Sequence, residues 1–165
     1  MKKTGNAAAV LSIFWGLGAF GLDRLHKFYQ LELEGWRGGE AIRVTDFFDY
    51  LLIWNTGVSY GLLGGMPLLV LGLVIAIAIA ALAFWWWRAT TRFVQIGLML
   101  CIGGALSNAF DRFLYGAVAD FFHFHWQEYS FYIFNIADVA ITLGVLLLVL
   151  DLLGIGGQKR AGEPA

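Results

Sequence analysis

The sequence predicts an all-α membrane protein: four transmembrane helices with a small extracytoplasmic β-structured segment. Three observations carry this. Of 165 residues, 59% are hydrophobic and only 14% charged, against about a quarter charged in a soluble domain. Mean hydropathy is +0.71. Four apolar runs reach or approach the roughly 20 residues that a helix needs to cross a bilayer. The chain forms one domain with no room for a second, and its net charge of −1 gives nucleic acid nothing to bind.

The first run, 7–27, is closed by Asp23, Arg24 and Lys27. Lys2 and Lys3 precede it, as in a signal peptide, but no small-x-small cleavage site follows, so it is read as a retained helix. The others cover 66–87, 92–111 and 133–153, leaving 28–65 and 112–132 as the outer segments. Basic residues cluster at Lys2 and Lys3, at Arg88 and Arg92, and at Lys159 and Arg160. An even number of spans places all three clusters on one side, and the positive-inside rule makes that side cytoplasmic. Both termini are then cytoplasmic, with Trp85-Trp86-Trp87 as an inner aromatic belt. Ile42 to Leu52 is rich in β-branched and aromatic residues and precedes the turn-prone Asn55-Thr56-Gly57, so a small β piece is expected on the outer surface.

Several motifs mislead. Gly16-Leu17-Gly18-Ala19-Phe20-Gly21 spells the dinucleotide fingerprint but lies within an apolar helix, where small residues serve close packing. Gly57-Val58-Ser59-Tyr60-Gly61 spells the nucleophile elbow without the soluble sequence for its sheet. His123-Phe124-His125 would put two imidazoles on one strand face, and with nearby carboxylates they can bind zinc. Without the H-E-x-x-H signature they are read as interfacial histidines without a metal, and no cofactor is expected. Cys101, the only cysteine, is a small core residue.

The informative residues are aspartates. Asp138 stands near the start of the fourth run, some five residues in and thus roughly 8 Å below its start. A carboxylate at that depth is costly unless paired or protonated. Asp120 has only apolar neighbours, Val118-Ala119 and Phe121-Phe122. Two carboxylates close enough to share a proton can activate water, one acting as base while the other donates to a carbonyl oxygen. Asp111 is followed at once by Arg112 and is expected to pair with it. The dyad is therefore Asp120 with Asp138. A small proton-coupled carrier that uses the same carboxylates as a relay is the alternative, although no repeat symmetry supports it.

Five blocks resemble lipoprotein signal peptidase, also called signal peptidase II. They are Asp23 with Lys27; Asn55-Thr56-Gly57; Ser107-Asn108-Ala109-Phe110-Asp111-Arg112; Ala119-Asp120-Phe121; and Phe134-Asn135-Ile136-Ala137-Asp138. They follow the family order over nearly the whole chain. The resemblance implies an aspartic endopeptidase of the bacterial inner membrane, active near its outer face. It would remove the signal peptide from diacylglyceryl-modified prolipoproteins just before the lipidated cysteine. It implies lipid contact and inhibition by globomycin-type cyclic peptides. Asp120 and Asp138 match the catalytic dyad. Asn55, Gly57, Asn108, Asp111, Arg112 and Asn135 match supporting or substrate-binding positions, and Asp23 and Lys27 structural ones. Ser107 stands where the family commonly has Gly, and Arg24 and His26 where it has Gln and Ser or Thr.

Overall fold

The computed structural model describes residues 6–57 and 68–155. In chain order it contains helix α1 (Asn6–Phe28), strands β1 (Ala41–Thr45) and β2 (Phe48–Asn55), helices α2 (Leu68–Arg88) and α3 (Arg92–Tyr115), strands β3 (Val118–Trp126) and β4 (Tyr129–Ser130), and helix α4 (Ile136–Leu152). Lys2, Lys3, Ser59, Lys159 and Arg160 lie outside the described residues.

Among the described residues, three helices are long and apolar enough to cross a membrane: Ala7–Leu33, Leu69–Arg88 and Arg92–Tyr115. The first runs further than expected, because a π-helical turn, Tyr29–Leu33, continues α1 into what was read as the outer segment. The third also runs on, which puts Arg112 in the helix rather than beyond it. The fourth run gives a shorter helix of 17 residues, because Ile133 to Asn135 are extended and Phe134 bridges to Phe122. Asp138 therefore lies in the first turn of α4, shallower than a helix beginning at Ile133 would place it.

Helix α3 is the hub, packed between α1 and α4, with α2 on its flank. Close approach depends on missing side chains. A Cβ on Gly103 would lie 2.2 Å from the Gly16 carbonyl oxygen, and one on Gly144 would lie 2.5 Å from that of Gly97. Of the fingerprint glycines, only Gly16 works this way; Gly18 and Gly21 face open space. Helix α2 leaves Leu69, Leu73 and Ile77 exposed. Such continuous apolar surface suits a lipid solvent rather than water.

The four strands form one antiparallel sheet in the order β1-β2-β3-β4. The β1–β2 hairpin occupies the expected segment. Its partner β3 holds the strand face of His123 and His125 but begins earlier than expected: the apolar frame around Asp120 is also strand, with Ile53 opposite Asp120. Leu52, Ala119 and Phe121 pack with Leu31 of the π-turn, which seats the sheet on the end of α1. Helix α3 stops at Gly116, whose φ of 74° is left-handed and whose N–H donates to the Arg112 carbonyl. Two residues later β3 begins, so this single turn carries the chain from Asp111 to Asp120.

Candidate active site

Asp120 and Asp138 both line one cavity of about 630 Å³, together with Asn55, Gly57, Asn108 and Arg112. Strand β2 supplies Asn55, α3 supplies Asn108 and Arg112, β3 supplies Asp120, and the first turn of α4 supplies Asp138. Ile75, Ala105 and Ile141 form an apolar wall. The residues singled out in the sequence thus converge from four elements of the chain.

Asn135 is the joint between the two carboxylates. It caps α4: its Oδ1 accepts the Asp138 N–H at 2.9 Å, and its own N–H donates to Asp138 Oδ2 at 3.2 Å. This reciprocal box satisfies two donors of the helix start. With Oδ1 committed to the cap, Nδ2 is left to donate to Asp120 Oδ1, at 2.7 Å. The same logic orients the other two amides. Asn55 Oδ1 accepts the Gly57 N–H, which turns Nδ2 to Asp120 Oδ2 at 3.0 Å. Asn108 Oδ1 accepts from Lys27 Nζ and from Asn135, which turns Nδ2 to Asp138 Oδ1 at 2.8 Å.

The side-chain donors to Asp120 and Asp138 are therefore neutral amides, and among the described residues neither carboxylate has an ion-pair partner. Burial, with the Asp138 carboxylate adding to it, pushes the Asp120 carboxyl up to about 7, against the opposing pull of the Asn55 and Asn135 hydrogen bonds. A group that titrates near neutrality beside a second carboxylate can exchange a proton with bound water.

Arg112 does not pair with Asp111, contrary to the expectation. Neighbours in a helix point about 100° apart and do not face each other. Arg112 instead donates to the Gly57 carbonyl at 2.9 Å and to the Asn108 carbonyl at 3.2 Å. Its buried Nε has no hydrogen-bond partner.

Asp111 turns to α1. Lys27 Nζ lies 2.6 Å from Asp111 and 2.8 Å from Asp23, and Arg24 bonds Asp111 directly. Ser107 Oγ donates to Asp23 at 2.6 Å. Each of these aspartates also accepts a backbone N–H: Asp23 from Ala137 at 3.0 Å, Asp111 from Ala119 at 3.1 Å. The roles of Arg24 and Ser107 were missed. Both stand at positions where the family pattern differs, and partners 87 and 84 residues away leave no local signal.

The family model described as signal peptidase (SPase) II matches residues 16–154. A lipoprotein signal peptidase of Rhodopseudomonas palustris (strain TIE-1) is 47% identical over 150 residues, covering 86% of this chain and 90% of that protein. One from Beijerinckia indica subsp. indica is 40% identical, covering 93% of each. A bacterial membrane enzyme solved by the in meso method at 2.3 Å resolution superposes with a TM-score of 0.80 at 28% identity, over 99% of this chain and 98% of that one.

Proposed function

The chain belongs to the signal peptidase II family, and from that premise we propose that it is an aspartic endopeptidase with Asp120 and Asp138 as its water-activating pair. Membership makes it a membrane-embedded peptidase that removes signal peptides from prolipoproteins. The finer reading is that it cuts just before the lipid-modified cysteine, through a water held between the two carboxyls.

The observation that carries this is a pair of carboxylates in one cavity, solvated only by amides, with Asp120 raised to about 7. One carboxylate takes a proton from the water as its oxygen attacks the scissile carbonyl carbon. The other, protonated, donates to the carbonyl oxygen. The tetrahedral intermediate collapses when the first returns its proton to the leaving nitrogen and the second takes one back from a gem-diol hydroxyl, which breaks the C–N bond and releases an amine and a carboxylic acid. Arg112, which lines the cavity and whose Nε lacks a partner, would hold a substrate carbonyl or the developing oxyanion. Asn55, Asn108 and Asn135 keep the dyad oriented, while Asp23 and Lys27 brace the elements that carry it. The apolar wall leaves the diacylglyceryl chains in lipid while the peptide bond reaches the pair.

The same reading makes α4 the fourth span of one membrane domain, with both termini cytoplasmic and the sheet and dyad at the outer face of a bacterial inner membrane. Globomycin-type cyclic peptides would compete for the cavity. The test is incubation of purified protein with a lipid-modified preprolipoprotein. A mobility shift that disappears with globomycin is expected; intact protein that never cleaves returns the carboxylates to the proton-relay reading.

A further inference from the structure

Away from the dyad, three side chains converge at the far end of the β2–β3 ladder. Asp49 stands opposite His123 in the register. His125, two residues along β3, projects from the same face. Both histidines lie on the face of β3 opposite Asp120, and nothing in the proposed reaction uses them. One oxygen, Asp49 Oδ2, sits 3.1 Å from His125 Nε2 and 3.4 Å from His123 Nδ1. All three potential donor atoms lie within 4.8 Å of one another.

The cluster is only partly satisfied by hydrogen bonds. His123 Nε2 is 2.7 Å from Ser130 Oγ, which also lies 3.3 Å from the Phe131 carbonyl. His123 Nδ1 faces Asp49 Oδ2 at 3.4 Å, and with Nδ1 bound to a cation the Nε2–H would donate to Ser130. His125 Nε2 is buried and, despite its proximity to Asp49, lacks a partner in hydrogen-bonding geometry. A positive charge at the point that these two imidazole nitrogens and the carboxylate oxygen face would be held by all three. Arg43, paired with Asp49 across β1–β2, does not supply it, because its guanidinium bonds Asp46 at 3.0 Å.

We propose that Asp49, His123 and His125 form a binding site for a divalent cation of the zinc class. Zinc bonds of about 2.0–2.2 Å at tetrahedral angles hold adjacent ligand atoms about 3.3–3.5 Å apart. The two Asp49–histidine distances, 3.1 and 3.4 Å, are close to those edges. Two imidazoles and one carboxylate are a zinc donor set, and the Ser130 hydroxyl on the distal His123 nitrogen is the outer hydrogen bond that fixes a ligand's tautomer. The site is reachable, since its side chains are 18%, 21% and 25% exposed. A bound ion ties β2 to β3 and, through Ser130, fixes the β4 turn, leaving its fourth position to water.

The test uses the full, tag-free protein in detergent, stripped with a chelator and held at pH 8, above the ordinary imidazole range. Zinc chloride is titrated against a chromophoric competitor, and the thermal midpoint is read with and without zinc. One equivalent per chain is expected, with a Kd of about 1 µM or tighter and a midpoint raised by about 5 °C. His123→Ala and His125→Ala should each weaken binding about 100-fold and remove the midpoint shift; His26→Ala should change neither. If a histidine variant misfolds, Asp49→Asn gives the same reading, with about tenfold weaker zinc binding. Zinc binding weaker than about 100 µM, or equally tight in His125→Ala and Asp49→Asn, would overturn the site.

Discussion

Two pairs of aspartates occupy the same end of the helix bundle and are treated in opposite ways. Asp23 and Asp111 are fully buried and face Lys27 and Arg24. Asp120 and Asp138 face amides. A cation fixes a carboxylate in its charged form and makes it a structural anchor. A neutral donor orients the carboxylate while leaving it free to gain or lose a proton. The two pairs are also joined. Asp23 holds the N–H of Ala137 and Asp111 that of Ala119, the residues immediately before Asp138 and Asp120. The ion-paired carboxylates grip the backbone on which the uncompensated ones stand.

The largest effect should come from the uncompensated pair. Asp120→Asn and Asp138→Asn keep the shape but leave one acceptor oxygen for two N–H donors, so each loses one hydrogen bond, and neither can exchange the proton. Each should lower cleavage of a lipid-modified preprolipoprotein by at least about 10³-fold with folding retained. The double variant should be no worse than either single one, because groups that act as a unit are not additive. A stable, inactive Asp111→Asn beside an active Asp120→Asn would exchange the roles of the two pairs.

Breaking the anchored pair should read as stability. Asp111→Asn leaves Lys27 and Arg24 with Asp23 as their only carboxylate, and loss of one partner from a buried ion pair costs about 3–5 kcal/mol. A lower thermal midpoint with partial activity is expected, since Ala119 loses a strong acceptor. Lys27→Met should act in the same direction and further weaken activity through Asn108, whose carbonyl Lys27 engages at 3.3 Å.

The pH dependence sharpens the contrast. Asp120, raised to about 7, binds its proton more tightly in the folded state than in the unfolded chain. Its contribution to stability is complete below about pH 4 and lost as pH rises through about 7, a change on the order of 2 kcal/mol once water in the cavity is allowed for. Asp120→Asn should flatten that decline. Cleavage should fall above about pH 7, as the proton needed for the carbonyl oxygen leaves.

Much of this was legible in the chain. Hydropathy located the helices, and the apolar neighbours of Asp120 and Asp138 distinguished them from Asp111. The spacing of Asn135 and Asp138 is an N-cap signature that sequence could have supplied. What stayed hidden depends on distant pairing. Apart from Asp120, Val118 to Phe122 is apolar without alternation because both faces of β3 are covered there, so it reads as neither helix nor strand. Adjacency suggested an Asp111–Arg112 pair that helix geometry forbids, and nothing near Asp111 points to Arg24 or Lys27.

The smallest effect tests how Asp23 is held. Ser107 Oγ donates to it at 2.6 Å, beside Lys27 at 2.8 Å and the Ala137 N–H at 3.0 Å. Ser107→Ala removes one of these three contacts. A hydrogen bond to a charged acceptor contributes about 1.5–3 kcal/mol, and the better helix propensity of alanine returns about 0.5 kcal/mol. The net loss should be about 1–2 kcal/mol, with cleavage within about twofold of the parent, because the cation still holds the carboxylate in place. Ser107→Gly, the residue common in the family, should cost about 1 kcal/mol more, from backbone freedom alone. The difference between the variants therefore isolates the helix term, and that between alanine and serine the hydroxyl. If Ser107→Ala destabilises as much as Asp111→Asn, the hydroxyl rather than Lys27 anchors Asp23, and the division between cation-held and amide-held aspartates fails at that position.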